Sequence, residues 1–560
     1  MRNNPPTNPK PQSHSLFSSL RAWIRKIPVH PFLFAIYPVL ALLAHNMDQL
    51  RPETTYRSIA ISLAGGALLY FVFIQILRKK TYRPAALLTS LWLLLFWSYG
   101  QIYELIEGHS IFGWVYGKHR YLAIVWALLL AVGTFLIVKK LKHTKTLTTV
   151  LNIAGLVLII FPTAQIAWFE IRFTQLSARR QNEPVSQTQT AQSSASTANL
   201  TSSPDIYYIL LDGYSRSDVI QKLYGLDITP TLDQLKSLGF VIPNCAQSNY
   251  GITALSMFGT LNMNYLDSPE YQGDFPIGSD ASEVDYQAMR DYLRHSQVRS
   301  FLEARGYQMI TFETGYWWLD IDDTGNYIVE NNNPLKKYSS VYALSNFEDM
   351  LIRSTALRLV TEANAAYLSP LTRTVKTPTE QHYEWVKFAL DQLGQVPQMP
   401  GKKFVYFHVL APHDPFVFAP DGTYLYSPNS NDDQGSDVPG YPNSIQYLNN
   451  HIVEIVKQIK ASSKTDPIII IQGDHGWDPR YRSQILNAYY LPDGGSADIY
   501  PTITPVNTFR IIFNRYFGAN YPLLPDQSYF SMGSDFPIYG IQSRPYQLTP
   551  VPNTCVGDIK

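Results

Sequence analysis

Three stretches in the second half of this sequence place acids and histidines where they could hold a cation and act on an ester. Pro467–Gly476 reads PIIIIQGDHG, four isoleucines bounded by Asp466-Pro467 on one side and by glycines on the other. Such a run is a strand buried on both faces. It delivers Asp474 and His475 side by side at its carboxyl end, where open α/β sheets place their ligands. A carboxylate and an imidazole with glycines leaving room around them suit a divalent metal. Ile206–Leu211 runs into Asp212-Gly213, and Lys403–Leu410 carries His408 near its end and leads to His413. In a parallel sheet these strand ends share one edge, so Asp212, Asp474 and His475 supply three ligands and leave a position for a reacting group. An isolated DHG is more often a strand-end turn; three polar strand ends change that balance.

The missing piece is a nucleophile. Asn249–Asn262, NYGITALSMFGTLN, reads as a turn and then a helix opening near Thr253. A hydroxyl at a helix N-terminus sits where backbone N–H groups and the macrodipole favour an anion, and a bound metal would help hold it as an alkoxide. Thr253 therefore joins the candidate ligands as well as being the candidate nucleophile, although threonine at a helix start is usually an ordinary N-cap. Ser256, one turn on, reads as a core-facing or back-bonded hydroxyl. Arg216 could clamp a phosphate or stand exposed. Asn249 could bond a substrate oxygen or close an Asx-turn.

These residues need a scaffold. From Asp205 onward, strands at Ile206–Leu211, Phe240–Ile242, Tyr307–Phe312, Lys403–Leu410 and Pro467–Gln472 alternate with helices at Thr231–Leu238, Thr253–Asn262, Tyr286–Ala304, Asn346–Ala363, Glu380–Leu393 and Ser444–Lys460. That alternation predicts an α/β domain with a mostly parallel, doubly wound sheet. The tail from Tyr500, rich in Pro, Tyr and Phe, reads as packing over this domain.

The first half is of another kind. Apolar runs at Pro31–Leu43, Ile59–Leu77, Ala85–Tyr99, Tyr121–Val138 and Val150–Trp168 approach the ~20 residues a helix needs to cross a bilayer. The first is short and contains Pro38, but five spans agree with the charges between them. Arg21, Arg25, Lys26, Arg78-Lys79-Lys80 and Lys139-Lys140 lie on alternate loops, which predicts a cytoplasmic N-terminus and an exported C-terminal half. The expected layout is a tail over 1–30, a five-helix transmembrane domain over 31–173, a Gln/Ser/Thr-rich tether over 174–204 and an exported domain over 205–560. A formal net charge of +1 gives no electrostatic case for nucleic acid. The only cysteines, Cys245 and Cys555, exclude a disulfide framework and leave a single bridge open.

LLDGYSR, NYGITALSM, HVLAPHDPF and QGDHG, in this order, resemble the alkaline phosphatase/sulfatase superfamily. They are most similar to its membrane-anchored branch of lipid A phosphoethanolamine transferases and lipoteichoic acid synthases. The resemblance implies five N-terminal spans, an exported domain with a divalent metal ion, and transfer of a phospho-headgroup from a membrane lipid to an envelope glycan or lipid acceptor. It implies metal ligation by Asp212, Thr253, Asp474 and His475, with Thr253 as nucleophile. His408 and His413 fall where the family places histidines that bind substrate, protonate the leaving group or hold a second metal. Asp212 stands where the phosphoethanolamine transferases often have Glu, and two cysteines are too few for their several disulfides. Cys245-Ala246-Gln247-Ser248-Asn249 lacks the Pro and Arg of the C-x-P-S-R motif that true sulfatases mature to formylglycine. A hydrolase of extracellular esters and a non-catalytic envelope protein are the alternatives.

Overall fold

The computed structural model describes residues 27–47, 50–77, 82–107, 109–111, 114–115, 117–182, 203–271, 274–279, 286–329, 344–359, 378–425, 440–531 and 546–559. Two compact units divide the chain: Met1–Ile171 with Tyr338–Val375, and Arg172–Lys337 with Lys376–Lys560.

The first unit holds helices α1 (His30–His45), α2 (Tyr56–Leu77), α3 (Tyr82–Ile106), α4 (His119–Phe135) and α5 (Thr144–Asn182). Among the described residues, four helical stretches are long and apolar enough to cross a membrane: Pro52–Leu77, Tyr82–Ile106, His119–Lys140 and Thr144–Ile171. The expected fifth span is not among them. With 16 residues α1 rises only about 24 Å, short of the ~30 Å of hydrocarbon, and it buries Phe34, Ala35, Val39 and Leu43 inside the unit. Helix α5 continues to Asn182, into the predicted tether, whose remaining residues up to 202 lie outside the described ones.

A segment expected in the exported domain belongs to this helical unit. Helix α6 (Asn346–Arg353) starts with a capping box, in which Ser345 and Glu348 satisfy each other's backbone N–H groups. Its apolar face, Phe347 and Leu351, packs with Val39, Leu43 and Met47, and with Ile59, Trp97, Ile166 and Phe169. Those residues mark the end of α1, the start of α2, the later part of α3 and a later part of α5, so the helices run alternately up and down. Glu348 forms a bidentate ion pair with Arg57. Gly100 N–H donates to Ser354 and Phe96 carbonyl accepts from Ala356, two groups that an α-helix joins to each other. Gly100 is glycine because a Cβ there would lie 1.9 Å from the Arg353 carbonyl.

The second unit contains the predicted sheet. Strands β1 (Ile206–Leu211), β2 (Gln308–Phe312), β3 (Asn326–Ile328), β4 (Lys403–Val409), β5 (Ile468–Gln472) and β6 (Asn487–Tyr490) lie in the order β3-β2-β4-β1-β5-β6. All neighbours are parallel except β5 and β6. The central strand β1 alternates Ile206, Tyr208 and Leu210 into one core and Tyr207, Ile209 and Leu211 into the other, as a strand covered on both faces must. Helix α7 (Thr253–Asn262) and helix α8 (Pro505–Phe517) pack on the first face, and helix α9 (Gly440–Ser462), which lies between them in sequence, packs on the second.

Several boundaries differ from expectation. Tyr286–Ala304 is two helices, broken where Ser296 caps the second. Phe240–Ile242 contributes only a bridge from Val241 to Tyr489. The C-terminal region does more than cover the domain, because Phe509 and Phe513 of α8 are fully buried in its core.

Candidate active site

Register brings the acids together. Leu210 pairs with His408 on one side and with Gln472 on the other, so Asp212 and Asp474 each lie two residues beyond that level on adjacent strands. Asp474 Oδ1 accepts the Gly213 N–H at 2.9 Å. Gly473 and Gly476 allow the approach: a Cβ on either would meet the carbonyl of Tyr214 at 2.3 Å or of Tyr481 at 2.5 Å.

Three buried polar atoms then face one another. One ligand atom each from Asp212, His408 and Asp474 lies within 4.8 Å of the others, and Asp212 Oδ1, Asp474 Oδ2 and His408 Nε2 have no hydrogen-bond partner among the described residues. Buried carboxylate oxygens without partners are costly, and a divalent cation is what this donor set fits. His475 joins them. Its Nδ1 donates to the Gly476 carbonyl at 3.1 Å, leaving the Nε2 lone pair 3.3 Å from Asp474 Oδ2 and 3.9 Å from Asp212 Oδ1. The Thr253 hydroxyl donates to that Nε2 at 3.0 Å. Thr253 is not the N-cap of α7: Ile252 holds that position, without a side-chain cap bond. Ser256 is not idle, since its hydroxyl donates to the Asp474 carbonyl at 2.6 Å and ties α7 to the ligand loop.

The histidines divide by environment. His408 is wholly buried, with Nε2 3.3 Å from Asp212 Oδ2, which puts it among the ligand atoms rather than at the opening where a general acid would work. His413 is partly exposed and donates its backbone N–H to the Asp212 carbonyl. Its Nδ1 is held by Asp414, so Nε2 is the nitrogen left to exchange a proton. Burial works against charge on His413, but Asp212 and Asp414 outweigh it and raise its pKa to about 9. Burial likewise opposes charge on Asp212, and His413, His408 and His475 together hold it below the usual carboxylate range. His475 is lowered to about 4 by burial and by Arg482.

Two expected substrate contacts are committed elsewhere. Arg216 is buried, pairs through Nε and Nη2 with Asp218 and donates Nη1 to the Thr554 carbonyl. Asn249 is fully buried: Oδ1 accepts from Val506, and Nδ2 donates to Gln527 and Tyr265. Tyr214 and Ser215, which follow the Asp212-Gly213 turn, are buried. Cys245 is bonded to Cys555. Sequence reading missed Arg482, whose Nη2 lies 3.2 Å from His475 Nε2. Nothing in spacing marks it, because it reaches the site through an irregular loop.

The sulfatase family model matches residues 204–510. The chain belongs to the sulfatase family. It is an enzyme of the alkaline phosphatase/sulfatase superfamily, and the matched range includes Asp212, Thr253, His408, His413, Asp474, His475 and Arg482. No curated protein matches the chain. Among solved structures, the zinc complex of the C-terminal periplasmic domain of EcEptC from Escherichia coli is 12% identical, covering 57% of this chain and 83% of that one, with a TM-score of 0.33. The C-terminal periplasmic domain of phosphoethanolamine transferase EptC from Campylobacter jejuni is 11% identical over 57% and 92%, TM-score 0.34. The lipoteichoic acid synthase LtaP from Listeria monocytogenes is 14% identical over 52% and 66%, TM-score 0.31. The family assignment rests on the family match, not on these remote likenesses.

Proposed function

We propose that this enzyme moves a phospho-headgroup, of phosphoethanolamine or phosphoglycerol type, from a membrane lipid to an envelope glycan or lipid acceptor through a phospho-threonine at Thr253. The observation that carries this reading is the Thr253 hydroxyl on His475 Nε2, beside the partnerless oxygens of Asp212 and Asp474. Asp212, Asp474, His475 and Thr253, with His408, would hold the divalent ion, which when bound lowers the pKa of the threonine hydroxyl and offsets carboxylate charge. Thr253 Oγ, its proton released, forms a bond to phosphorus as the bond from phosphorus to the lipid alcohol breaks. His413 Nε2 gives its proton to the departing oxygen. An acceptor hydroxyl then returns a proton to His413, bonds to phosphorus and frees Thr253. The bond between Cys245 and Cys555 leaves neither cysteine free to serve as a nucleophile, which favours Thr253. The apolar helices fit an enzyme held in the plasma membrane with its sulfatase domain exported.

The test is intact mass of the full-length protein with Mn²⁺ and a phospholipid extract. An added headgroup phosphate that vanishes in Thr253→Ala is expected. Turnover of a model diester without any adduct would indicate direct hydrolysis, and an adduct surviving in Thr253→Ala would remove Thr253 from its role.

A further inference from the structure

We infer that Arg482 is the phosphoryl-binding cation of this site, and that metal ligation by His475 releases it for that task; the inference rests on the reading of Thr253 as nucleophile. The guanidinium is fixed by backbone carbonyls from two loops. Nε donates to Gly251 at 2.8 Å, two residues before Thr253, and Nη1 to Trp477 at 3.0 Å, two residues after His475. Gly251 makes the space, since a Cβ there would lie 2.9 Å from Arg482 Cγ. Among the described residues no carboxylate forms an ion pair with Arg482, whereas Arg216 is neutralised by Asp218. A guanidinium placed beside a site and held only by neutral groups keeps its full charge for something else.

Its third donor shows what that is. Nη2 points at His475 Nε2, the same lone pair that takes the Thr253 hydroxyl. The guanidinium thus stands two hydrogen bonds from the nucleophilic oxygen. When that nitrogen is a metal ligand its lone pair is committed, and Nη2 is left without its acceptor next to Thr253. Charge balance points the same way. Asp212, Asp474 and a divalent ion sum to zero; a Thr253 alkoxide makes the cluster negative, and the incoming phosphodiester is negative as well. Arg482 brings the nucleophilic cluster back to neutral and supplies a donor for an equatorial oxygen as the Oγ–P bond forms and the leaving P–O bond breaks, a position where guanidinium groups act strongly. A cavity of about 380 Å³ bordered by Gly251, Arg482, Lys222, Tyr481 and Tyr529 leaves solvent-accessible room on this side.

The experiment compares full-length wild type, Arg482→Gln and Arg482→Lys in detergent by Mn²⁺ titration and by steady-state turnover of a soluble phosphodiester, with Thr253→Ala alongside. Arg482→Gln should lower kcat by about 10²–10³-fold while tightening Mn²⁺ binding, by about tenfold, because a positive charge leaves the ligands' side. Arg482→Lys should recover part of kcat. If the Gln variant does not fold, the Lys variant carries the test: a fall in kcat with Mn²⁺ affinity retained supports the inference, and unchanged kcat overturns it. Weakened Mn²⁺ binding in a folded Gln variant, or kcat within twofold of wild type, also overturns it. Full activity of Thr253→Ala would instead overturn the nucleophile assignment, whatever Arg482 does.

Discussion

The ring of His413 stands between Asp212 and Asp414, and its charge depends on both. With a folded pKa of about 9 against an ordinary value of 6.5, the protonated ring stabilises the metal-free fold below pH ~6.5, and this contribution is lost as pH rises through about 9. Mn²⁺, by offsetting Asp212, should shift the transition downward. Thermal melts of metal-free and Mn²⁺-loaded protein across pH 6–10 will show this, and His413→Gln should flatten the metal-free profile; an unchanged slope in that variant would remove His413 as its source. At this scale the sequence was informative wherever a side chain follows a strand. Asp212, Asp474 and His475 stand at positions that sheet register must superpose, so three local readings predicted one site. Arg216 and Asn249 were misjudged for a different reason: the same donors that could hold a substrate can brace a loop, and only their partners tell which. Arg482 was invisible because its approach depends on a turn and on the missing side chain of Gly251.

Among the elements, α6 departs furthest from expectation. Its sequence announces a capped helix at Ser345, but nothing local says that its apolar face meets membrane helices. Glu348 is held below the ordinary carboxylate range: burial opposes this, and the Arg57 and Ser345 bonds prevail. A depressed folded pKa means that the contribution is present above the unfolded value, near 4.3, and is lost as pH falls below it. Hydrogen exchange of residues 346–356 should therefore be insensitive to pH from 8 to 5, after correction for intrinsic rates, and lose protection only below about pH 4. Glu348→Gln should weaken the docking at neutral pH by about 1–3 kcal/mol. Gly100→Ala should release the segment altogether, because the added carbon meets backbone. Wild-type protection in Gly100→Ala would show that the contact is not what orders α6. The short α1 was legible as apolar, whereas its burial between other helices depends on packing that hydropathy does not report.

For the whole molecule, the sheet begins at Ile206, whereas residues 338–375 of the expected 205–560 domain group with the helical unit. A fragment beginning at residue 205 carries α6 without its partners, leaving Phe347 and Leu351 exposed as an apolar patch of the kind that drives association. A 205–560 fragment should self-associate in sedimentation, and one that also lacks 338–375 should be monomeric while keeping its metal binding. A monomeric parent fragment would mean that α6 finds cover elsewhere. The mostly parallel sheet was predictable because alternation and buried strand runs are local signals; the return of the chain to the helical unit is a long-range pairing with no local trace.

That return has a bearing on release from the cell surface. The sulfatase domain is joined to the helical unit through the chain after α5 and again through the Gly100 and Glu348 contacts of the 338–375 excursion. A protease that nicks the Gln/Ser/Thr-rich stretch before residue 203 severs only the first connection. Shedding an active enzyme into the medium would require three cuts, the other two on either side of the 338–375 excursion, or one cut together with the undocking of α6.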